Sequence, residues 1–209
     1  MTIATLERSQ LAVLLIDVQR INWTGVDLPQ EPELVRLENL FLLADWMDLP
    51  TIATFEHPVD RNGMFPERLE KVFPAEGQRF TKRTYNCCLE PTILEAIKKL
   101  SGEQIAIAGA ETDVCIMQST LGLLNMGYHV FLLEDCLYTT EPNPRPALNR
   151  MYQAGAIPST FKSFAYELAV SVDHSPWLDT WIEKDRDYAK PFPKNFREPE
   201  LLPAWGPKL

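Results

Sequence analysis

The sequence predicts an α/β fold in which a mostly parallel sheet is covered on both faces by helices. Two observations carry this expectation. Short, strongly apolar runs alternate with segments of helical period along most of the 209 residues. The runs are close to unbroken in Val, Leu, Ile and Ala, as strands buried on both faces require. LAVLLIDVQ (11–19) is the first strand. Residues 33–47 then place Leu34, Leu37, Leu40, Phe41 and Ala44 at helical spacing. TIATFEH (51–57) is a second strand, entered directly after Pro50. Prolines, glycines and charges fill 58–78, which reads as a long loop with one helical turn; a loop of that length in a compact domain usually serves a function.

A weaker third strand lies around 79–82. Residues 92–100 form a helix, with Pro91 at its start and Ser101-Gly102 ending it. A fourth strand at 104–109 precedes a helix over 113–126 that Gly127 closes. HVFLLED (129–135) is the fifth strand, 145–154 a helix stopped by Gly155, and 156–161 the sixth strand. Near the C-terminus, Ser175 and Pro176 open one more helix in the pattern of an N-cap followed by Pro at the first turn. Pro191, Pro193, Pro199, Pro203 and Pro207 then interrupt a stretch dotted with Phe192, Phe196 and Trp205. Such proline spacing sustains neither helix nor central strand. We read 1–183 as one domain and 184–209 as an arm packed on it or on a neighbouring subunit.

A net charge of −9 argues against nucleic-acid and anionic-membrane partners, which need a basic patch. The chain shows neither a basic, apolar leader nor an apolar run long enough to span a membrane, so the expectation is a cytoplasmic protein. Cys87, Cys88, Cys115 and Cys136 form no C-x-x-C pair, and two are adjacent, which suits reduced thiols better than a disulfide framework.

Three reactive groups fall at carboxyl ends of strands, where an open parallel sheet gathers its ligands. Asp17 closes the first strand, Lys82 closes the third, and Cys115 opens the helix after the fourth. A free thiol has a pKa of about 8.5 and is weakly nucleophilic at neutral pH. A helix N-terminus and a nearby ammonium would favour the thiolate, and a carboxylate could accept the thiol proton and return it to a leaving group. Each residue also has an ordinary reading: a turn cap, a solvated charge, a core thiol.

The chain resembles the isochorismatase-like hydrolases. The resemblance runs from about 11 to 168 and rests on LLIDVQ, FTKRTYN, AGAETDVCIMQST with a downstream Gly-Tyr, and LLEDC before a helix ending in RMYQAGA. It implies a Rossmann-like three-layer α/β/α sandwich on a six-stranded parallel sheet. It makes Asp17, Lys82 and Cys115 a catalytic triad, with Asp17 as proton acceptor and Cys115 as the nucleophile of a covalent acyl intermediate. It also implies a non-proline cis peptide between Ala110 and Glu111, aiming the backbone N–H groups of Glu111 and Cys115 at an oxyanion.

The chain departs from the nicotinamidases of that superfamily. Where they carry Asp-x-His and a further His for a metal, it has Phe55-Glu56-His57-Pro58, and its other histidines are His129 and His174. We therefore expect no metal and no cofactor, and no nicotinamide specificity. A vinyl-ether-cleaving isochorismatase needs no cysteine nucleophile, so Cys115 argues against that activity too. Trp23, Glu56, His57, Tyr85, Glu111 and Thr140 are the candidate pocket residues for a small-molecule substrate. The expected activity is hydrolysis of a small amide or related carbonyl compound by a homo-oligomer; the rival is a non-catalytic binding protein of the same fold. A nucleotide-dependent oxidoreductase would need G-x-G-x-x-G after the first strand, which is missing.

Overall fold

The computed structural model describes residues 5–23 and 31–169. Six strands, β1 (Leu11–Ile16), β2 (Thr51–Glu56), β3 (Gln78–Lys82), β4 (Gln104–Ala110), β5 (His129–Tyr138) and β6 (Ile157–Ser159), form one sheet in the order β3-β2-β1-β4-β5-β6. Every pairing is parallel. The helices are α1 (Glu31–Trp46), α2 (Val59–Asn62), α3 (Glu67–Glu70), α4 (Pro91–Lys98), α5 (Met117–Asn125), α6 (Arg145–Gln153) and α7 (Phe161–Ala169).

The three layers follow from the two-residue period of the strands. All six residues of β1 are buried. Leu11, Val13 and Leu15 join a core with Leu37 and Phe41 of α1 and Phe164 and Leu168 of α7. Leu14 and Ile16 face the other way, into a core with Ile93 and Ile97 of α4, Leu123 of α5 and Met151 of α6. Two separate apolar cores on one sheet require helices on both sides, as the unbroken apolar runs predict. The chain winds from β1 outward to β3, then returns to place β4 on the opposite flank of β1. This reversal opens a crevice beyond the carboxyl ends of β1 and β4.

Four elements differ from the sequence reading. The stretch 113–126 is not one helix: a π-helical turn, Thr112–Ile116, precedes α5. Strand β5 continues three residues beyond 135, and the β4–β5 register shifts between Ile107 and Gly109. Strand β6 is short, because the chain turns at Ser159 and Phe161 begins α7, whose first amide donates to Asp135 Oδ1 at 2.7 Å. Phe161, Phe164, Ala165 and Leu168 are buried at helical spacing, a pattern that reading 156–161 as strand had cut in two. Finally, the 58–78 loop carries two short helices, α2 and α3. Phe65 anchors it, edge-on to Phe41 and Phe55 with ring centroids 5.3 and 4.9 Å away, while the Arg79 guanidinium lies 4.6 Å over Phe73. The helix expected from Ser175, the arm at 184–209 and the boundary between them lie outside the described residues.

Candidate active site

Four strands deliver one side chain each to the crevice. Asp17 follows β1 with φ 48°, a left-handed conformation that Asp tolerates better than most residues. Its amide donates to the Thr54 carbonyl of β2 at 3.1 Å, and the Thr54 hydroxyl donates to Asp17 Oδ1 at 2.9 Å. Lys82, the last residue of β3, is fully buried. Its Nζ lies 2.6 Å from Asp17 Oδ2 and donates to Cys115 Sγ at 3.4 Å. Cys115 arrives from β4. After the strand, the Ala110–Glu111 peptide is cis, and the Glu111 carbonyl then accepts the amides of both Val114 and Ile116 at 3.1 Å. The second bond spans five residues and makes the turn π-helical, which sets Cys115 facing the crevice ahead of α5. From β2 comes Glu56, whose Oε2 accepts from Cys115 Sγ at 3.5 Å and lies 3.9 Å from Lys82 Nζ.

These groups sit at one side of a cavity of about 290 Å³. Asp17, Glu56, Tyr85, Glu111 and Cys115 line it, so five of the residues singled out in the sequence meet here. Two do not. His57 is exposed and outside the wall: its amide donates to the Lys82 carbonyl, and the strand alternation that turns Thr54 and Glu56 inward turns His57 away. Thr140 is exposed and also outside the wall, but its hydroxyl donates to Glu111 Oε1 at 2.9 Å and so braces a wall residue from behind. Trp23 ends a short 3₁₀ turn, Arg20–Trp23, and its side chain lies outside the described residues.

The sequence reading missed Gln19, Asn22, Arg61 and Asn62, which complete much of the polar wall. Gln19 had a signal: a polar residue at the end of the apolar run LAVLLIDVQ, here almost wholly buried. Its side-chain amide clamps the main chain of Glu56, accepting from the Glu56 N–H at 2.6 Å and donating to the Glu56 carbonyl at 3.1 Å.

Burial pushes the Asp17 carboxyl up against the opposing pull of the Lys82 ammonium. For Lys82, burial works against the charge, but Asp17 and then Cys115 outweigh it and its pKa rises above the usual lysine value. Burial, followed by the Asp17 charge, holds the Cys115 thiol well above its ordinary value despite the ammonium beside it. The ammonium does favour the thiolate, as expected from the sequence, but burial and the Asp17 charge outweigh it. The Lys82 ammonium is favoured, and the raised proton affinity of the Cys115 thiol keeps its sulfur protonated near neutral pH. Nucleophilic attack by sulfur from this state needs a base in the same step.

Asp17, Glu56 and Cys115 also offer metal-ligand atoms within 4.8 Å of one another. The Lys82 Nζ contacts to all three show that the ammonium itself holds the cationic position among them. A divalent ion there would be pressed against a full positive charge.

The Isochorismatase domain model matches residues 12–163. The probable hydrolase YcaC of Escherichia coli is 30% identical over 175 residues, covering 82% of this chain and 81% of that protein. Isochorismatase family protein 1B of Dictyostelium discoideum is 33% identical over 132 residues, and the chain spans 64% of that relative's length. Among solved structures, YcaC from Pseudomonas aeruginosa superposes with a TM-score of 0.79 at 28% identity, covering 90% of this chain and 96% of that one. With its parallel six-stranded sheet and a matching domain over most of its length, the chain belongs to the isochorismatase-like hydrolase family.

Proposed function

We propose that this hydrolase cleaves the C–N bond of a small amide, or of a related carbonyl compound, through an acyl intermediate on Cys115. The observation that carries the reading is the buried Lys82 Nζ in contact with both Asp17 Oδ2 and Cys115 Sγ, whose residues line the cavity. Asp17 takes the thiol proton as Sγ attacks the carbonyl carbon, and gives it to the nitrogen that leaves. Lys82 stays charged throughout and balances the negative charge as it moves from carboxylate to sulfur and back. The amides of Glu111 and Cys115 stabilise the oxyanion; one such donor is typically worth about 3–4 kcal/mol. Water then releases the acid from the thioester.

A panel of small amides assayed for ammonia release tests this, with Cys115→Ala as control. Turnover on an identified substrate that survives the substitution overturns the mechanism. A second readout needs no substrate. The P. aeruginosa YcaC structure contains covalent acrylamide, so acrylamide is the natural probe. Adduct formation is expected at Cys115 ahead of the other three thiols, of which Cys87 and Cys136 are fully buried. The sign of the pH dependence follows from the raised thiol pKa. The thiol stays protonated near neutrality, so labelling there runs through the Asp17 base and should level off once Asp17 has ionised, then climb again above about pH 10 where the thiol itself ionises. Asp17→Asn should remove the neutral plateau in intact-mass time courses; its persistence would overturn Asp17 as the base.

We also propose a homo-oligomer, on the precedent of E. coli YcaC, described as an octameric hydrolase. Light scattering at micromolar concentration should give a mass several times that of the 23.9 kDa chain; a monomer overturns it.

A further inference from the structure

The site contains one more carboxylate than the acylation step uses. Asp17 is almost wholly buried, with Oδ1 held by the Thr54 hydroxyl and Oδ2 by Lys82. Glu56 differs in each respect. Its side chain is 36% exposed where it lines the cavity, and Lys82 Nζ is 3.9 Å away. Its carboxylate is available while its position is fixed. Gln19 holds its N–H and carbonyl, and Asn62 Nδ2 donates to the same carbonyl at 3.2 Å. A buried glutamine and the asparagine that ends α2 thus lock the backbone of a residue whose side chain makes one hydrogen bond among the described residues, the one from Cys115 Sγ at 3.5 Å.

Once an acyl group is on sulfur, it occupies the cavity, and the water that attacks it must come from the cavity side. Asp17 also lines the cavity, but its side chain is only 5% exposed and both its oxygens are engaged. Glu56 faces the same sulfur from the open side. We propose that Glu56 is a catalytic residue of the second half-reaction: it activates the water that hydrolyses the Cys115 thioester. This rests on the acyl-enzyme reading above and divides the proton work between two carboxylates. Asp17 moves the thiol proton to the leaving amine. Glu56 then takes a proton from water as the water oxygen bonds to the acyl carbon. The C–S bond breaks, its electron pair stays on sulfur, and the proton on Glu56 Oε2 passes to Sγ across the contact already present. The products are the free acid and the original thiol, with no proton left over.

The test uses p-nitrophenyl acetate as acyl donor, following nitrophenolate release in the pre-steady state and the acetyl group on Cys115 by intact mass and peptide mapping. Wild type should show a burst of one equivalent followed by steady turnover. Glu56→Gln, which keeps size and polarity, should retain the burst rate. Its steady rate should fall by about 100-fold, with acetylated Cys115 accumulating, and Glu56→Asp should recover part of the loss. Asp17→Asn should lose the burst itself. If Glu56 were only a wall residue, its substitution would weaken binding and slow the burst while leaving decay of the acetyl-enzyme unchanged; that result overturns the proposal. A wild-type acetyl-enzyme as long-lived as that of Glu56→Gln overturns it too. Failure of wild type to acetylate at Cys115, or a burst that survives Cys115→Ala, removes the acyl intermediate and Glu56's role together. The two failures are therefore distinguishable.

Discussion

Replacing Lys82 with Met is expected to destabilise the protein by about 3–5 kcal/mol and to abolish hydrolysis. The side chain of Lys82 is fully buried and that of Asp17 is 5% exposed, with 2.6 Å between the charged atoms. Removing the ammonium strands a carboxylate that is almost wholly buried, and breaking a buried pair from one side typically costs that much. In a chain of this length the midpoint of thermal unfolding should drop by roughly 10 °C. Activity on an identified amide should fall by at least about 100-fold, because the charge that balances the moving proton is gone. The double variant Lys82→Met/Asp17→Asn separates the two effects. It should recover most of the lost stability, since no uncompensated charge remains, while staying inactive. If the double variant is no more stable than the single one, the loss comes from packing around the lysine stem and not from the stranded carboxylate.

Gly109→Ala should yield little folded protein. Gly109 has φ +122°, and an added Cβ would sit 1.9 Å from the carbonyl oxygen of Ile16 and 2.8 Å from its carbon. Both obstructing atoms belong to the backbone of β1, which pairs with β4 at this position, so neither can swing aside. Backbone strain and overpacking together amount to roughly 4 kcal/mol or more. Gly155→Ala is the matched control. Its φ is +109°, but the nearest atom to an added Cβ is Leu124 Cδ2 at 4.0 Å. It should lose only about 1–2 kcal/mol, from the dihedral alone. Equal effects in denaturant titrations would mean that the close approach of β1 and β4 is not what Gly109 serves.

The sheet and most of its helices were legible because burial on two faces writes itself into a strand as an unbroken apolar run. The six strands of the reading are the six observed. Helix α7 was hidden because the Pro-Ser-Thr segment before Phe161 sits at a strand end, and the sequence does not show that Asp135 of β5 receives the first amide of the next helix. In the site, Asp17, Lys82 and Cys115 could be singled out since each ends or follows a strand. Their distances are a tertiary property. So is the protonation state of Cys115: the sequence shows the ammonium and the helix that favour a thiolate, but not the burial that opposes them. Glu56 was visible as a pocket residue, yet its freedom to act depends on the Gln19 clamp, formed by residues that meet only when β1 and β2 pair. His57 was misplaced by one step of the strand alternation, and Thr140 reaches the cavity only through Glu111.

The winding order of the sheet has a consequence for the newly made chain. Asp17, Glu56, Lys82 and Cys115 leave the ribosome in that order, and they come to rest beside β1, β2, β3 and β4, which are neighbours in the finished sheet. A nascent polypeptide therefore carries both carboxylates and the lysine before the sulfur they surround is made, and a product truncated before Cys115 has no group to take the acyl chain.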